Sequence, residues 1–145
     1  MGTRVLSAVP RHLALTLLVA LLAGCALLPA APDWVTDRPP LPACGVELMT
    51  DEGGEDGEAR RCLLAAWEAG EEAELITRFT TADGDATTRY LRVRAGGVIE
   101  LFVDATLDAL GSGQWERWAC DSLAPVADDG GTELVFTEQG CRTLP

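Results

Sequence analysis

Residues 87–104, TTRYLRVRAGGVIELFVD, decide the fold that the sequence predicts. Apolar and polar side chains alternate on both sides of a Gly-Gly pair, which is typical of a half-buried β-hairpin. The loop length sets the register, because a slip of one residue moves every side chain to the other face. A two-residue loop would place Val93 opposite Glu100, whereas a three-residue loop over 95–97 keeps one face apolar. We therefore predict the three-residue loop, with the pairs Val93–Ile99, Leu91–Leu101, Arg92–Glu100 and Tyr90–Phe102.

A helix and further strands are predicted around this hairpin. The helix runs from residue 55 or 58 to 69 and stops at Gly70. Its core-facing side chains follow from the 3.6-residue period: Ala59, Cys62, Leu63, Ala66 and Trp67. Strands are expected at 73–81, 87–94, 98–104, 114–121 and 133–137. On the fourth strand, alternation places Trp118 and Cys120 on one face and Trp115 and Arg117 on the other. The predicted class is α+β, with one helix packed on an antiparallel meander of four or five strands.

Four of the five cysteines are predicted to form two disulfides. An even number of cysteines in an exported chain indicates a disulfide framework, and four cysteines allow three pairings. The simplest pairing closes two loops of about 20 residues, each contributing about 3 kcal/mol by chain entropy. A zinc site would need closely spaced cysteine pairs, which the chain lacks. The simplest pairing is Cys44–Cys62 and Cys120–Cys141.

The first 25 residues have the pattern of a bacterial lipoprotein signal. Arg4 and Arg11 precede an apolar run, residues 13–22, which is followed by small residues, as in a secretory signal. Leu22-Ala23-Gly24-Cys25 resembles a lipobox, in which cleavage follows Gly24 and the Cys25 thiol receives a diacylglycerol. The apolar run is too short for a spanning helix, which needs about 20 residues. We expect residues 1–24 to be a signal peptide and Cys25 to hold the protein on the extracytoplasmic face of the cell membrane.

Residues 25–42 are predicted to be a lipidated cysteine and a tether, followed by a single α+β domain over 43–145. Five of the eight prolines fall in this segment, which indicates a semi-rigid, extended chain. Trp34 lies within the segment and has two interpretations: contact with the membrane surface or docking on the domain. The sequence leaves both open.

Charge and composition exclude several functions. Removing residues 1–24, which hold two arginines and no acid, changes the formal net charge from −12 to −14. Such a surface does not favour nucleic acid, whose phosphates need cationic partners. The only histidine, His12, lies in the predicted signal, and the chain has no lysine. Catalytic triads, histidine metal sites, lysine Schiff bases and P-loops are thereby excluded. We expect no enzymatic activity and no cofactor.

Two acidic clusters offer carboxylate oxygens, the kind of ligand that calcium binds. Asp83 and Asp85 flank a glycine, and Asp104 and Asp108 begin a loop that extends to Gly113. An EF-hand loop starting at Asp104 would need Gly and Glu where the chain has Ala109 and Trp115, so that motif fails. The alternative is that these aspartates accept hydrogen bonds from local backbone amides. We predict no metal site and keep the four aspartates as minor candidates.

Residues 72–141 resemble a domain of unknown function found in small Gram-positive lipoproteins. The family pattern has a Thr-x-x-Gly-Asp-Pro turn, an Asp-Thr-Thr-Arg-Asp-x-Phe-Gly segment and two distal cysteines. These correspond to residues 81–86, residues 104–111, and Cys120 with Cys141. The chain departs from the pattern at four positions: Ala86, Ala105, Leu107 and Leu110. The resemblance implies a lipoprotein domain and brings no activity with it.

The sequence thus predicts a lipid-anchored cell-envelope protein with a binding or structural role. The alternative is a module that binds a small ligand, calcium or another envelope protein. Its binding surface would be the loop over 104–113 and the sheet face that carries Tyr90, Arg92 and Phe102. An apolar pocket on that face would favour binding, and a fully polar face would favour a structural role.

Overall fold

The computed structural model of the protein describes residues 29–49, 54, 56–126 and 135–145. Over these residues the chain forms two helices and eight strands, in the order α1 (Asp33–Thr36), β1 (Ala43–Met49), α2 (Gly57–Ala69), β2 (Ala73–Thr80), β3 (Ala86–Arg94), β4 (Val98–Asp104), β5 (Trp115–Cys120), β6 (Ser122–Pro125), β7 (Phe136–Gln139) and β8 (Arg142–Thr143). A six-stranded sheet has the order β1-β2-β3-β4-β5-β8, and β6 and β7 form a separate ribbon. The predicted α+β class is confirmed, with one main helix and a mostly antiparallel sheet.

The central hairpin of β3 and β4 has the predicted register. All four predicted pairs are present, including Val93 opposite Ile99 and Arg92 opposite Glu100. Gly96 and Gly97 have φ angles of +83° and +79°, which side-chain-bearing residues rarely adopt. The Gly97 carbonyl also accepts a hydrogen bond from Trp67 Nε1 at 3.2 Å, which ties the turn to α2.

Strands β2 to β5 form the expected antiparallel meander. The predictions for 73–81 and 114–121 match β2 and β5 to within one residue at each end. The strand predicted at 133–137 begins later among the described residues, at Phe136, and pairs with β6 rather than with the main sheet.

Strand β1 was not predicted, and its pattern explains why. The strand pairs in parallel with β2, with α2 as the crossover that such a pair requires. Its apolar side chains face away from α2, with Val46 51% and Leu48 62% exposed, whereas the buried position is Glu47. The usual signal of apolar residues on the buried face is therefore inverted.

Helix α2 packs its apolar residues against one face of the sheet. The Asp56 side chain caps its start by accepting hydrogen bonds from the amides of Glu58 and Ala59, and Gly70 ends it with a left-handed φ of +68°. The core beneath the helix contains Ala59, Leu63, Ala73, Leu75, Leu91, Val93, Ile99, Leu101, Cys120, Leu123 and Phe136. The predicted end at 69 is confirmed, and the start at Gly57 lies between the two predicted starts.

One helix position differs from the prediction. Cys62 is exposed rather than directed into the core, yet it forms the expected disulfide with half-buried Cys44. Because Cys44 lies on edge strand β1, the cysteine that reaches it lies at the margin of the helix interface. The predicted apolar face is correct for Ala59 and Leu63, which are buried.

A buried ion pair joins α2 to the sheet. Glu47 Oε1 accepts hydrogen bonds from Thr77 Oγ1 at 2.6 Å and Arg60 Nη2 at 2.8 Å. Its Oε2 accepts from Arg60 Nε at 2.9 Å and from the Asp56 amide at 3.2 Å. Burial alone would raise the pKa of Glu47, but these hydrogen bonds and the Arg60 charge together lower it below its ordinary value. The buried carboxylate is therefore held in its charged form.

The second disulfide, Cys120–Cys141, joins the end of β5 to the segment that leads into β8. Cys120 is buried and Trp118 packs against the same core, on the face predicted for both. Both predicted disulfides are present.

Candidate ligand-binding face

The open face is the surface of the six-stranded sheet opposite α2. Strand pairing places Arg92 between Glu74 and Glu100, and Phe102 between Tyr90 and Arg117. Trp115 faces the same way at the end of β5, opposite Asp104. The sequence prediction for Trp115 and Arg117, on the face away from Cys120, agrees with this geometry. The face thus combines aromatic and charged side chains.

Residues 33–39, here called the strap, lie across this face. The strap contains the single helical turn α1, and its Val35 is 4% exposed. The Trp34 ring lies 5.1 Å from Phe102 and 6.3 Å from Trp115, edge-on to both. Trp34 is therefore docked on the domain, which decides between its two interpretations. These residues belong to the segment that we expected to be an extended tether.

The strap extends the aromatic cluster of the open face. Tyr90 stacks on Trp115 with ring centres 6.1 Å apart, and the Arg38 guanidinium lies 4.5 Å above the Tyr90 ring. Arg38 also donates a hydrogen bond to the Val35 carbonyl at 2.7 Å, which folds it back onto the strap. Edge-to-face and stacked aromatic pairs hold such clusters in defined orientations.

Arg92 is the buried cation of the open face. Its side chain is 1% exposed, with Nε 2.9 Å from Glu74 Oε2 and Nη1 3.2 Å from Glu100 Oε2. Its Nη2 donates to the Pro39 carbonyl at 2.6 Å and so fastens the end of the strap. Burial lowers the pKa of Arg92 from its ordinary value, and the two glutamates oppose that shift. Arg92 keeps its charge, because a guanidinium loses its proton only far above neutral pH.

A first cavity lies where the strap meets the sheet. It has a volume of about 220 Å³ and is lined by Asp33, Trp34, Asp37, Arg38, Pro39, Arg92, Arg94, Glu100, Phe102 and Arg117. All four of its arginines are engaged in ion pairs. Arg38 and Arg92 contact Glu74, and Glu100 is contacted by Arg92, Arg94 and Arg117. Its charged lining is therefore largely neutralised from within.

The second cavity lies beside the first, at the edge of β5. It has a volume of about 370 Å³ and is lined by Trp34, Gln114, Trp115, Glu116, Arg117, Trp118, Thr143, Leu144 and Pro145. Trp34 and Arg117 line both cavities. Three of the four tryptophans of the chain thus surround the second cavity, and each of the three is half-buried.

The calcium candidates are engaged in local hydrogen bonds. Asp104 Oδ1 accepts from the amide and hydroxyl of Thr106, and Asp108 Oδ1 accepts from the Gly111 amide. Asp85 Oδ2 accepts from the Ala109 amide, which joins the loop over 104–113 to the β2–β3 turn containing Asp83. In the described part of the chain, no three His, Cys, Asp or Glu side chains are grouped as metal ligands. None of residues 104–113 lines either cavity.

The predicted cleavage and lipidation residues, Gly24 and Cys25, lie outside the described residues. Within the part of the chain that the structure describes, no helix has the length and apolar character needed to cross a membrane.

Comparison of the chain with protein-family models, curated proteins and solved structures finds no match. The resemblance of residues 72–141 to a lipoprotein domain therefore stays a prediction. The site has to be interpreted from its own chemistry.

Sequence reasoning identified the open face through Tyr90, Arg92 and Phe102, but it missed the second cavity. A signal for that cavity is present in Gln114-Trp115-Glu116-Arg117-Trp118, where tryptophans are interspersed with hydrogen-bonding side chains. The closing segment Thr143–Leu144 carries no comparable signal. Its position depends on the Cys120–Cys141 disulfide and on the Leu144 amide, which donates to the Arg117 carbonyl at 2.7 Å.

Proposed function

We propose that the protein is a lipid-anchored cell-envelope protein that binds a ligand through its open face and catalyses no reaction. The anchor rests on Leu22-Ala23-Gly24-Cys25, the lipobox-like end of the signal. Attachment through a diacylglycerol places the domain on the extracytoplasmic side, where its two disulfides are stable.

The single observation that carries the binding role is the pair of adjoining cavities that share Trp34 and Arg117. Ligand sites are typically concave and combine apolar walls with a few polar groups. A purely structural role would need no such concavity under the strap. The lack of histidine and lysine beyond residue 24 supports binding rather than catalysis, since imidazole bases and lysine nucleophiles are missing.

The anchor is tested by fractionating cells that express the full chain or the variant Cys25→Ala. We expect the full chain in the membrane fraction and the variant released from it. Treatment with globomycin, which blocks lipoprotein signal cleavage, is expected to leave an uncleaved precursor. A Cys25→Ala protein that fractionates like the wild type would contradict lipid anchoring.

The binding role is tested by thermal unfolding in the presence of fractionated envelope extract. A ligand that binds only the folded state raises the melting temperature. We expect one or more fractions to stabilise the wild type and the control Arg61→Ala, an exposed change on α2, but not Trp115→Ala. If no fraction stabilises the wild type, or if Trp115→Ala responds equally, the binding role is wrong.

A further inference from the structure

We propose, building on the ligand-binding role above, that the second cavity binds a neutral saccharide. The cavity is lined by Trp34 and Trp115 from the open face, by Trp118 where β5 meets β8, and by residues with hydrogen-bonding side chains of both polarities. This combination matches a pyranose, whose ring faces present C–H groups while its rim presents hydroxyls.

The aromatic part of the cavity is supported from behind. Trp115 stacks on Tyr90, and Trp34 packs edge-on against Phe102, so neither ring has to be ordered by the ligand. The electron-rich face of an indole attracts the slightly positive C–H groups of a sugar ring. Pre-ordered rings reduce the entropy lost on binding.

The polar part of the cavity contains side-chain groups that can still form hydrogen bonds with a ligand. Gln114 is exposed, and its side-chain amide forms no hydrogen bond with another described residue. Glu116 Oε2 accepts from Trp118 Nε1 at 3.1 Å, which orients that carboxylate and leaves Oε1 to accept from a ligand. Thr143 adds a hydroxyl at the rim. Donors and acceptors around one cavity suit a ligand that is itself both donor and acceptor.

The same lining disfavours other ligand classes. Arg117 is already paired with Glu100, and the strongly acidic chain does not attract anions. A peptide strand cannot extend the sheet at Trp118 and Ala119 of β5, because β8 already pairs with them and the Leu144 amide bonds to Arg117. A proline-rich peptide on the aromatic rings is the remaining competitor, and the experiment includes it.

The test is a nuclear magnetic resonance titration that follows the four indole N–H signals of the full chain, prepared in a detergent without a sugar headgroup. The probes are chitotriose, cellotriose and maltotriose, together with a proline-rich peptide. We expect one or more trisaccharides to shift the signals of Trp34, Trp115 and Trp118. Trp67 lines neither cavity and donates to the Gly97 carbonyl, so it is an internal control whose signal stays in place.

Two variants keep the proposal falsifiable. Gln114→Ala removes an exposed side chain without disturbing packing and is expected to weaken trisaccharide binding about fivefold, as for the loss of one hydrogen bond. Trp115→Phe keeps an aromatic ring and is expected to retain most of the binding, whereas Trp115→Ala abolishes it. The proposal is overturned if no trisaccharide shifts the three signals, if Trp67 shifts with them, or if the proline-rich peptide binds instead. Binding of the peptide would contradict the saccharide proposal but leave the general ligand-binding role intact. Failure of the one is therefore distinguishable from failure of the other.

Discussion

Two layers flank the sheet, and they are attached in different ways. Helix α2 is held by buried Leu63, by the Cys44–Cys62 disulfide and by the Glu47–Arg60 pair. The strap contains no cysteine and forms a single helical turn, held by Val35, by Trp34 and by the Arg92 bond to the Pro39 carbonyl. From this difference we predict that α2 maintains the fold, whereas the strap, which covers the open face, opens without unfolding of the sheet.

The largest effect is expected from Arg60→Met. Glu47 would stay buried without its cation, which costs about 4 kcal/mol in the free energy of unfolding. Urea unfolding measures the loss. The matched control is Arg142→Ala, which breaks the exposed pair with Asp121 and is expected to cost less than about 1 kcal/mol.

A double variant sharpens this prediction. Replacing both charges, as in Glu47→Met with Arg60→Met, removes the uncompensated ion and is expected to recover part of the loss. If the double variant is no more stable than Arg60→Met alone, the buried charge is not the cause of the destabilisation.

The next largest effect concerns the disulfide under α2. The paired change Cys44→Ala and Cys62→Ala opens a loop with a sequence separation of 18 residues. We expect a loss of about 3 kcal/mol in unfolding free energy, measured by urea unfolding. A loss below that of Arg142→Ala would show that α2 does not depend on its covalent link.

On the other layer, Arg92→Met is expected to cost about 2 kcal/mol, less than Arg60→Met. Glu74 and Glu100 keep other partners, since Arg38 contacts the first and Arg94 and Arg117 contact the second. Unfolding in urea measures the cost, and hydrogen exchange of the strap shows whether the lost bond to Pro39 loosens it. A cost equal to that of Arg60→Met would contradict the distinction between the layers.

A pH effect is expected from Glu47. Because folding lowers its pKa, the folded state binds this proton less readily than the unfolded state. The contribution of Glu47 is therefore present above its ordinary pKa of 4.5 and is lost as the pH falls through the lower folded-state value. Glu47→Gln is expected to flatten this acid-side decline in unfolding free energy. An unchanged slope would show that the stability on the acid side comes from other carboxylates.

The smallest effect is expected from calcium. Asp104 and Asp108 already accept hydrogen bonds from nearby residues, so calcium addition is expected to produce no binding heat and no change in melting temperature. A saturable heat that disappears in Asp108→Ala would contradict this prediction.

The parts of the fold predicted from the sequence depend on local patterns. The β3–β4 register follows from alternation around Gly96 and Gly97, and the end of α2 follows from Gly70. Strand β1 was missed because its buried position is Glu47, whose partners Arg60 and Thr77 are distant in sequence. Pairing between distant charged residues leaves no periodic signal.

The open face was predicted only in part, because local patterns place some of its residues and distant contacts place the others. The residues of the central hairpin, Tyr90, Arg92 and Phe102, were placed by alternation alone. The docking of Trp34 on Phe102 and the second cavity, which Trp34 and residues 143–145 line together, bring together segments that are distant in sequence. The sequence pattern therefore indicated which face carries the site but not which segments complete it.

Hydrogen exchange of backbone amides tests the central claim, the separate release of the strap, most directly. The amides of Val35 and Thr36 donate to the Pro32 carbonyl and that of Asp37 to the Asp33 carbonyl, whereas the amide of Leu63 lies in the middle of α2. Local opening exchanges amides without exposing much surface, so its rate depends little on added denaturant. We predict that the three strap amides exchange far faster than that of Leu63, with little dependence on low concentrations of urea. Equal protection and an equal urea dependence for the strap and Leu63 would contradict the account.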